Sequence, residues 1–223
     1  MNRNIEKTIS ARGKMSRAAY RRLRDRIVEG LASNLSHDEY VHSRGVETEA
    51  VRLFFAFDRT GELWKASLAG LLHDYARSMD LFEMQKKLSD AGVRVPDGRT
   101  ATRGLLHGFV SAHMARELFN VTDPSIIAAV KYHTTGRPGM SFLEKVIFIS
   151  DYIEPSRTFE GVAAVRRAVA EAVFCGRSID HALLHVVRDK VRSIQSLGIV
   201  CFPKMIELLH SLEKKSFVEQ VTF

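Results

Sequence analysis

The ten residues from Leu63 to Leu72 are almost entirely apolar, and the chain then sets His73 and Asp74 side by side. A segment of this kind belongs in a core, where a carboxylate without a partner is strongly disfavoured. The same anomaly recurs at Tyr40-Val41-His42, Leu106-His107-Gly108 and Tyr132-His133-Thr134. It recurs again at Ser150-Asp151-Tyr152, directly after Val146-Ile147-Phe148-Ile149. Any one of these histidines taken alone reads as an ordinary hydrogen-bonded residue. Together they are better explained by one shared cation cluster, so the fold must bring segments from His42 to Asp151 to one place. Four imidazoles and two carboxylates can hold two first-row transition metals if one carboxylate bridges. Two close metals are a device for breaking phosphate esters and anhydrides, so the pattern points to a phosphohydrolase.

The periodicity is helical throughout. Tyr20, Leu23, Ile27, Leu31 and Leu35 recur every three or four residues from Met15 onward. Ser36 offers a cap for a helix that sets Val46, Ala50, Leu53, Phe54 and Phe57 on one face, with His42 on the same side near its start. Leu63–Leu72 is the next helix, and 79–91 is a short amphipathic one. Residues 92–103 read as a loop around Pro96-Asp97-Gly98. A helix is expected to open at His107 and run to Phe119. Asp123-Pro124 starts another, ending near His133. Ser141 with Glu144 forms a capping box for a helix that Pro155 stops. Residues 163–174, 178–196 and 203–218 complete an all-α chain.

The chain of 223 residues, 45% of them hydrophobic, is long enough for a sizeable core. The expected organisation is a basic, mobile arm over residues 1–14 and one helical domain over 15–223. No apolar run is long enough to cross a bilayer, and the N-terminal residues lack the apolar stretch of a signal peptide. Cys175 and Cys201 form no CxxC pair, which fits a reducing cytoplasm. The net charge is +7, and residues 1–30 carry nine Lys and Arg against three acids. The basic character therefore belongs to the N-terminal segment more than to the body.

Four segments carry a resemblance to a known family. They are Ala69-Gly70-Leu71-Leu72-His73-Asp74-Tyr75-Ala76-Arg77, Leu105-Leu106-His107-Gly108, Tyr132-His133-Thr134-Thr135-Gly136-Arg137, and Leu143-Glu144-Lys145 continuing through Asp151-Tyr152-Ile153-Glu154-Pro155-Ser156-Arg157. They resemble the HD-domain superfamily, and more closely the YqeK-type bacterial HD hydrolases that cleave diadenosine tetraphosphate. The likeness runs from about His42 to Gly161. Arg77 stands where that family usually has Lys, and Ser150 where it has Ala.

The resemblance implies an all-α HD-domain bundle with the metal site between helices. It implies that His42, His73, Asp74 and Asp151 hold one metal, and that Asp74 bridges to a second held by His107 and His133. Two divalent or mixed-valence transition-metal ions are expected. The resemblance favours iron, and manganese, cobalt or zinc also suit such donors. His37, His113, His181, His185 and His210 do not match the pattern and are read as non-ligating.

A polyphosphate substrate requires further cations and donors. Arg77 lies one turn after Asp74. Thr134, Thr135 and Gly136 form a tight turn that could cradle phosphate, and Arg137 sits in the same turn. Arg157 follows the helix bearing Asp151, and Tyr152 could line a nucleoside pocket. The leading expectation is a metal-dependent enzyme that splits a dinucleoside polyphosphate symmetrically into two nucleoside diphosphates. Asp74, Arg77 and Arg137 would carry the catalytic roles. Another HD-type nucleotide or deoxynucleotide phosphohydrolase would use the same metal residues. A different class, a nucleic-acid or ribosome-binding protein working through residues 1–30, draws weak support from Arg17, Arg21 and Arg24 on one helical face. A homodimer is left open.

Overall fold

In a computed structural model the chain is described over residues 15–58, 62–93 and 102–221. The proposed arm, residues 1–14, lies outside the described residues, as does most of the loop around Pro96. The described residues form ten helices and no strand. In chain order these are α1 Arg17–Asn34, α2 His37–Phe57, α3 Leu63–Leu72, α4 Leu81–Asp90 and α5 Arg103–Phe119. They continue with α6 Pro124–Tyr132, α7 Phe142–Ile153, α8 Val162–Phe174, α9 Ile179–Ser196 and α10 Pro203–Val221.

Local chemistry sets most of these boundaries. Ser36 and Glu39 form a reciprocal capping box on α2, and Ser141 and Glu144 form one on α7. Asp123 accepts hydrogen bonds from Ser125 and Ile126 while Pro124 occupies the first turn of α6. Helix α4 starts at Leu81 because Asp80 caps it through a box with Glu83. Helix α5 departs from the sequence expectation. It begins at Arg103, one turn before His107, and its N-cap Thr102 makes no side-chain capping bond. The usual start signal is therefore missing, and His107 lies inside the helix instead of at its edge.

Helix α3 is the central element. Every residue from Ala66 to Leu72 is buried, and α2, α6 and α7 all pack on it. The core runs continuously from Leu23 in α1 to Leu212 in α10. A polar network inside it ties three helices together. Glu47 of α2 is 6% exposed, accepts from Ser67 of α3 at 2.7 Å and takes a two-pronged ion pair from Arg24 of α1 at 2.6 and 2.8 Å. Arg24 is thus spent on packing, whereas Arg17, Arg21 and Arg22 of the same helix are exposed.

Two close approaches bring the histidine-bearing helices together. A Cβ on Gly70 would lie 2.8 Å from the Glu47 Cα and 3.0 Å from its N, so α2 and α3 touch backbone to backbone there. A Cβ on Gly108 would lie 2.9 Å from the Lys131 carbonyl oxygen, where α5 meets α6. Neither neighbour is a movable side-chain tip. Gly70→Ala is expected to cost about 1–3 kcal/mol, the usual range for an overpacked core. It should also reduce bound metal by moving His42 away from His73. Denaturant unfolding together with metal analysis of the purified variant measures both effects.

Candidate metal centre

Six side chains from five elements converge. His42 comes from the second turn of α2, His73 and Asp74 from the end of α3, and His107 from α5. His133 comes from the end of α6 and Asp151 from the last turns of α7. All six are at most 8% exposed. The Nε2 atoms of His42 and His73 are 3.1 Å apart, and those of His107 and His133 are 2.9 Å apart.

Each ring is oriented by a bond on its other side. The Nδ1 of His73 lies 2.7 Å from the Gly70 carbonyl oxygen, and that of His133 lies 2.7 Å from the Val130 carbonyl oxygen. These are carbonyls of the last helical turn, which the helix itself leaves without partners. His107 Nδ1 faces the Arg103 carbonyl oxygen at 3.2 Å, and His42 Nδ1 faces Glu154 Oε1 at 3.0 Å. The shortest contact at each Nδ1 is to an acceptor, which favours the proton there, and Nε2 faces inward in all four rings. Burial lowers the pKa of His73 to about 3 and lowers that of His107, so neither ring is protonated near neutrality.

Asp74 lies between the two pairs. Its Oδ1 is 2.9 Å from His107 Nε2 and 3.3 Å from His133 Nε2, while Oδ2 is 3.6 Å from His73 Nε2 and 3.8 Å from His42 Nε2. Oδ1 is buried without a properly aligned hydrogen bond despite these short approaches. Two ring lone pairs and a carboxylate oxygen thus point at one another with too few protons between them. A cation resolves that clash, and the donor set suits a first-row transition metal. Two groups have their ligand atoms close enough to share an ion: His42 with His73 and Asp151, and His73 with Asp74 and His133. Burial opposes ionisation of Asp74 and Asp151, but neighbouring histidines, and Arg157 at Asp151, hold both carboxyls well below the usual range.

The remaining candidates are placed as follows. Arg77 Nη1 is 3.4 Å from His107 Nδ1. Arg157 Nη2 is 2.6 Å from Asp151 Oδ1 and 3.2 Å from His42 Nε2. Thr134 Oγ1 is 2.8 Å from His133 Nε2 and 3.1 Å from His107 Nε2, at the second pair. Thr135 is buried, and the Gly136 N–H is taken by the Tyr132 carbonyl at 2.9 Å. The fork of Arg137 is engaged by Glu144 at 2.7 and 3.0 Å, with its guanidinium over the Tyr132 ring. Tyr152 is buried, and its hydroxyl donates to Asp189 at 2.8 Å, which pins α7 to α9. His113 stands off the centre with Glu117 at 3.8 Å.

Two contributors escape a reading of the sequence by ligand types. Glu154 is 1% exposed and holds His42 in place, a carboxylate–histidine pairing that fixes both ring orientation and basicity. An acidic residue at a helix C-terminus opposes the helix dipole, and that was the available signal. Arg166 of α8 donates to the carbonyls of Ile153, Glu154 and Arg157 at 2.8, 2.6 and 2.8 Å, clamping the turn that carries Arg157.

The HD domain family model matches residues 40–156, the stretch that contains all six convergent side chains. The chain belongs to the HD domain family. A protein of Halalkalibacterium halodurans named symmetrical bis(5'-nucleosyl)-tetraphosphatase is 37% identical over 147 residues, covering 64% of this chain and 75% of that one. One of the same name from Bacillus subtilis is 32% identical over 181 residues, covering 81% and 92%. The crystal structure of an HD superfamily hydrolase from Clostridium acetobutylicum, described as involved in NAD metabolism, superposes with a TM-score of 0.76. It is 32% identical and covers 86% of this chain and 97% of that one.

Asp74→Ala is expected to remove both metals, because each of its oxygens faces a different histidine pair. His113→Ala should leave both in place. Metal analysis of the two variants separates them, and retention of two metals by Asp74→Ala would overturn the bridging arrangement. A pH effect follows from His42. Burial works against its charged form, but the bonds to Asp151 and Glu154 prevail and raise its pKa from 6.5 to about 9 in metal-free protein. The stabilisation from that ion pair is complete below 6.5 and lost as pH rises through about 9. A cation at Nε2 must displace this proton, so metal binding near neutrality should release about one proton from His42. Calorimetric titration of metal into metal-free protein, in buffers of differing ionisation enthalpy, measures it.

Proposed function

We propose that this HD protein hydrolyses diadenosine tetraphosphate symmetrically into two molecules of ADP. The observation that carries a metal-dependent hydrolysis is the Asp74 carboxylate, with one oxygen turned to each histidine pair. The choice of substrate rests on the names of the relatives from H. halodurans and B. subtilis. His42, His73, Asp74 and Asp151 would hold one ion, and Asp74, His107 and His133 the second. Iron is the favoured metal, with manganese, cobalt or zinc compatible with the same donors. When bound, such a pair supplies Lewis acidity and a water of lowered pKa.

The chain's own residues do the rest. Asp74 and Asp151 stay ionised, and the neutral ring of His73 accepts no proton near pH 7. Arg77 and Arg157, each beside a proposed ligand, meet the negative charge that accumulates on phosphoryl oxygens. Thr134 offers a hydroxyl at the His107–His133 pair. Arg137 acts differently in this reading. Bound to Glu144 at the start of α7, it braces the 134–137 turn and so keeps Thr134 in place. Water is the nucleophile, since Ser150 donates to the Val146 carbonyl and Cys201 is buried against the Val191 carbonyl. Among the described residues no helix is long and apolar enough to cross a membrane, and both cysteines are free. We place the reaction in the cytoplasm.

Chromatography of the products tests this reading. Metal-loaded protein should convert diadenosine tetraphosphate into ADP alone. ATP with AMP, or free phosphate, would instead assign the site to another nucleotide phosphohydrolase of the family.

A further inference from the structure

Lys190 of α9 belongs to none of the sequence motifs that carry the metal site. Its position in the helix is apolar by pattern, because it lies three and four residues after the buried Val187 and Val186 and just before the buried Val191. The residue as a whole is half-buried, but its ammonium is set among protein groups where burial acts on it. The ammonium stands 4.6 Å from the centre of the Phe148 ring. That ring is fully buried in α7 and reaches the 134–137 turn, where a Cβ on Gly136 would lie 3.3 Å from Phe148 Cε2. The neighbouring Asp189 accepts from Tyr152, which fixes this stretch of α9 against the helix that carries Asp151.

The ammonium lies within electrostatic range of the metal centre. Asp151 and Asp74 act on it favourably and Arg157 and Arg77 unfavourably, while burial lowers its pKa. All four groups belong to the site. Yet Lys190 makes no hydrogen bond or ion pair with any described residue, unlike Lys145 and Lys215, which both pair with Asp180. Three donors beside a cluster of proposed ligands are therefore left for something else. A lysine held without a partner at such depth disfavours the folded chain, and sites that trade stability for binding have this character.

We infer that Lys190 is a phosphate-binding residue of this site, donating to the anhydride chain of the substrate beside Arg77 and Arg157. The inference rests on the polyphosphate reading of the site and adds a third cation from a separate helix. An anhydride chain carries several negative charges, and the two arginines alone leave part of that charge to the metals. As a compact, strongly hydrated charge on a flexible stem, lysine binds phosphate oxygens without imposing a fixed fork.

Calorimetric titration of ADP into metal-loaded wild type, Lys190→Met and Lys190→Arg tests it. The Met variant should bind ADP about ten- to a hundredfold more weakly, the range for a lost charge-assisted contact. Its metal content should match wild type and its melting temperature should be equal or higher, because Met keeps the stem over Phe148 and removes the unpaired charge. The Arg variant should recover most of the affinity. ADP affinity of Lys190→Met within twofold of wild type would overturn the inference, as would a weakening accompanied by loss of metal or of thermal stability. Product chromatography judges the reaction separately. Wild type that yields ATP and AMP, with ADP affinity still lost in Lys190→Met, refutes the symmetrical cleavage and supports the lysine contact.

Discussion

The arrangement of the site depends on one carboxylate. Asp74 lies at the centre of the helix bundle, 5% exposed, with imidazoles on both sides. In an apolar core such a group is a strong liability unless positive charge meets it. Four histidines from four helices, a second carboxylate and two arginines surround it, and the helices that bring them must meet without side chains in the way. Gly70 and Gly108 make that possible. The close approaches at these glycines let side chains from distant segments reach one carboxylate.

Much of this was legible in the sequence because the relevant signals are local. The cap at Ser36, the capping box at Ser141 and the Asp123-Pro124 pair mark helix starts that the structure reproduces. The apolar run at Leu63–Leu72 marks a largely buried helix with the same boundaries. The start of α5 was not legible, since Thr102 caps nothing with its side chain and the start is set by tertiary packing instead. The ligand types could be read from composition at five short segments, but which oxygen of Asp74 faces which pair is a property of the assembled helices. Partners of side chains were the least visible part. Arg137 follows a ligand by four residues, yet its fork goes to Glu144. Glu154 resembles a solvated helix-end charge and instead holds His42.

The charge distribution has a parallel logic. The positive excess of the first thirty residues is partly absorbed by structure, since Arg24 pairs with Glu47 and Arg26 donates to the Leu118 carbonyl at 3.0 Å. Near the metal centre the cations lie among the acids and histidines of the site. Arg157 neutralises Asp151, Arg166 holds the turn that presents Arg157, and Lys190 of α9 is within electrostatic range of the same carboxylates. A basic protein therefore contains two separate populations of positive charge, one on a helix face and one organised around two buried carboxylates.

The anchoring of His73 and His133 has a consequence for how the site handles exchange of its ions. Each ring is held by a carbonyl three residues earlier in its own helix, so its direction comes from helix geometry and not from whatever sits at Nε2. Loading, unloading or replacing an ion leaves both rings aimed the same way and demands little rearrangement of the backbone. These two rings are the rigid part of the site. Metals that differ in bond length or preferred geometry would meet the same two fixed rings, and any adjustment would fall to His42 and Asp151, whose partners are side chains.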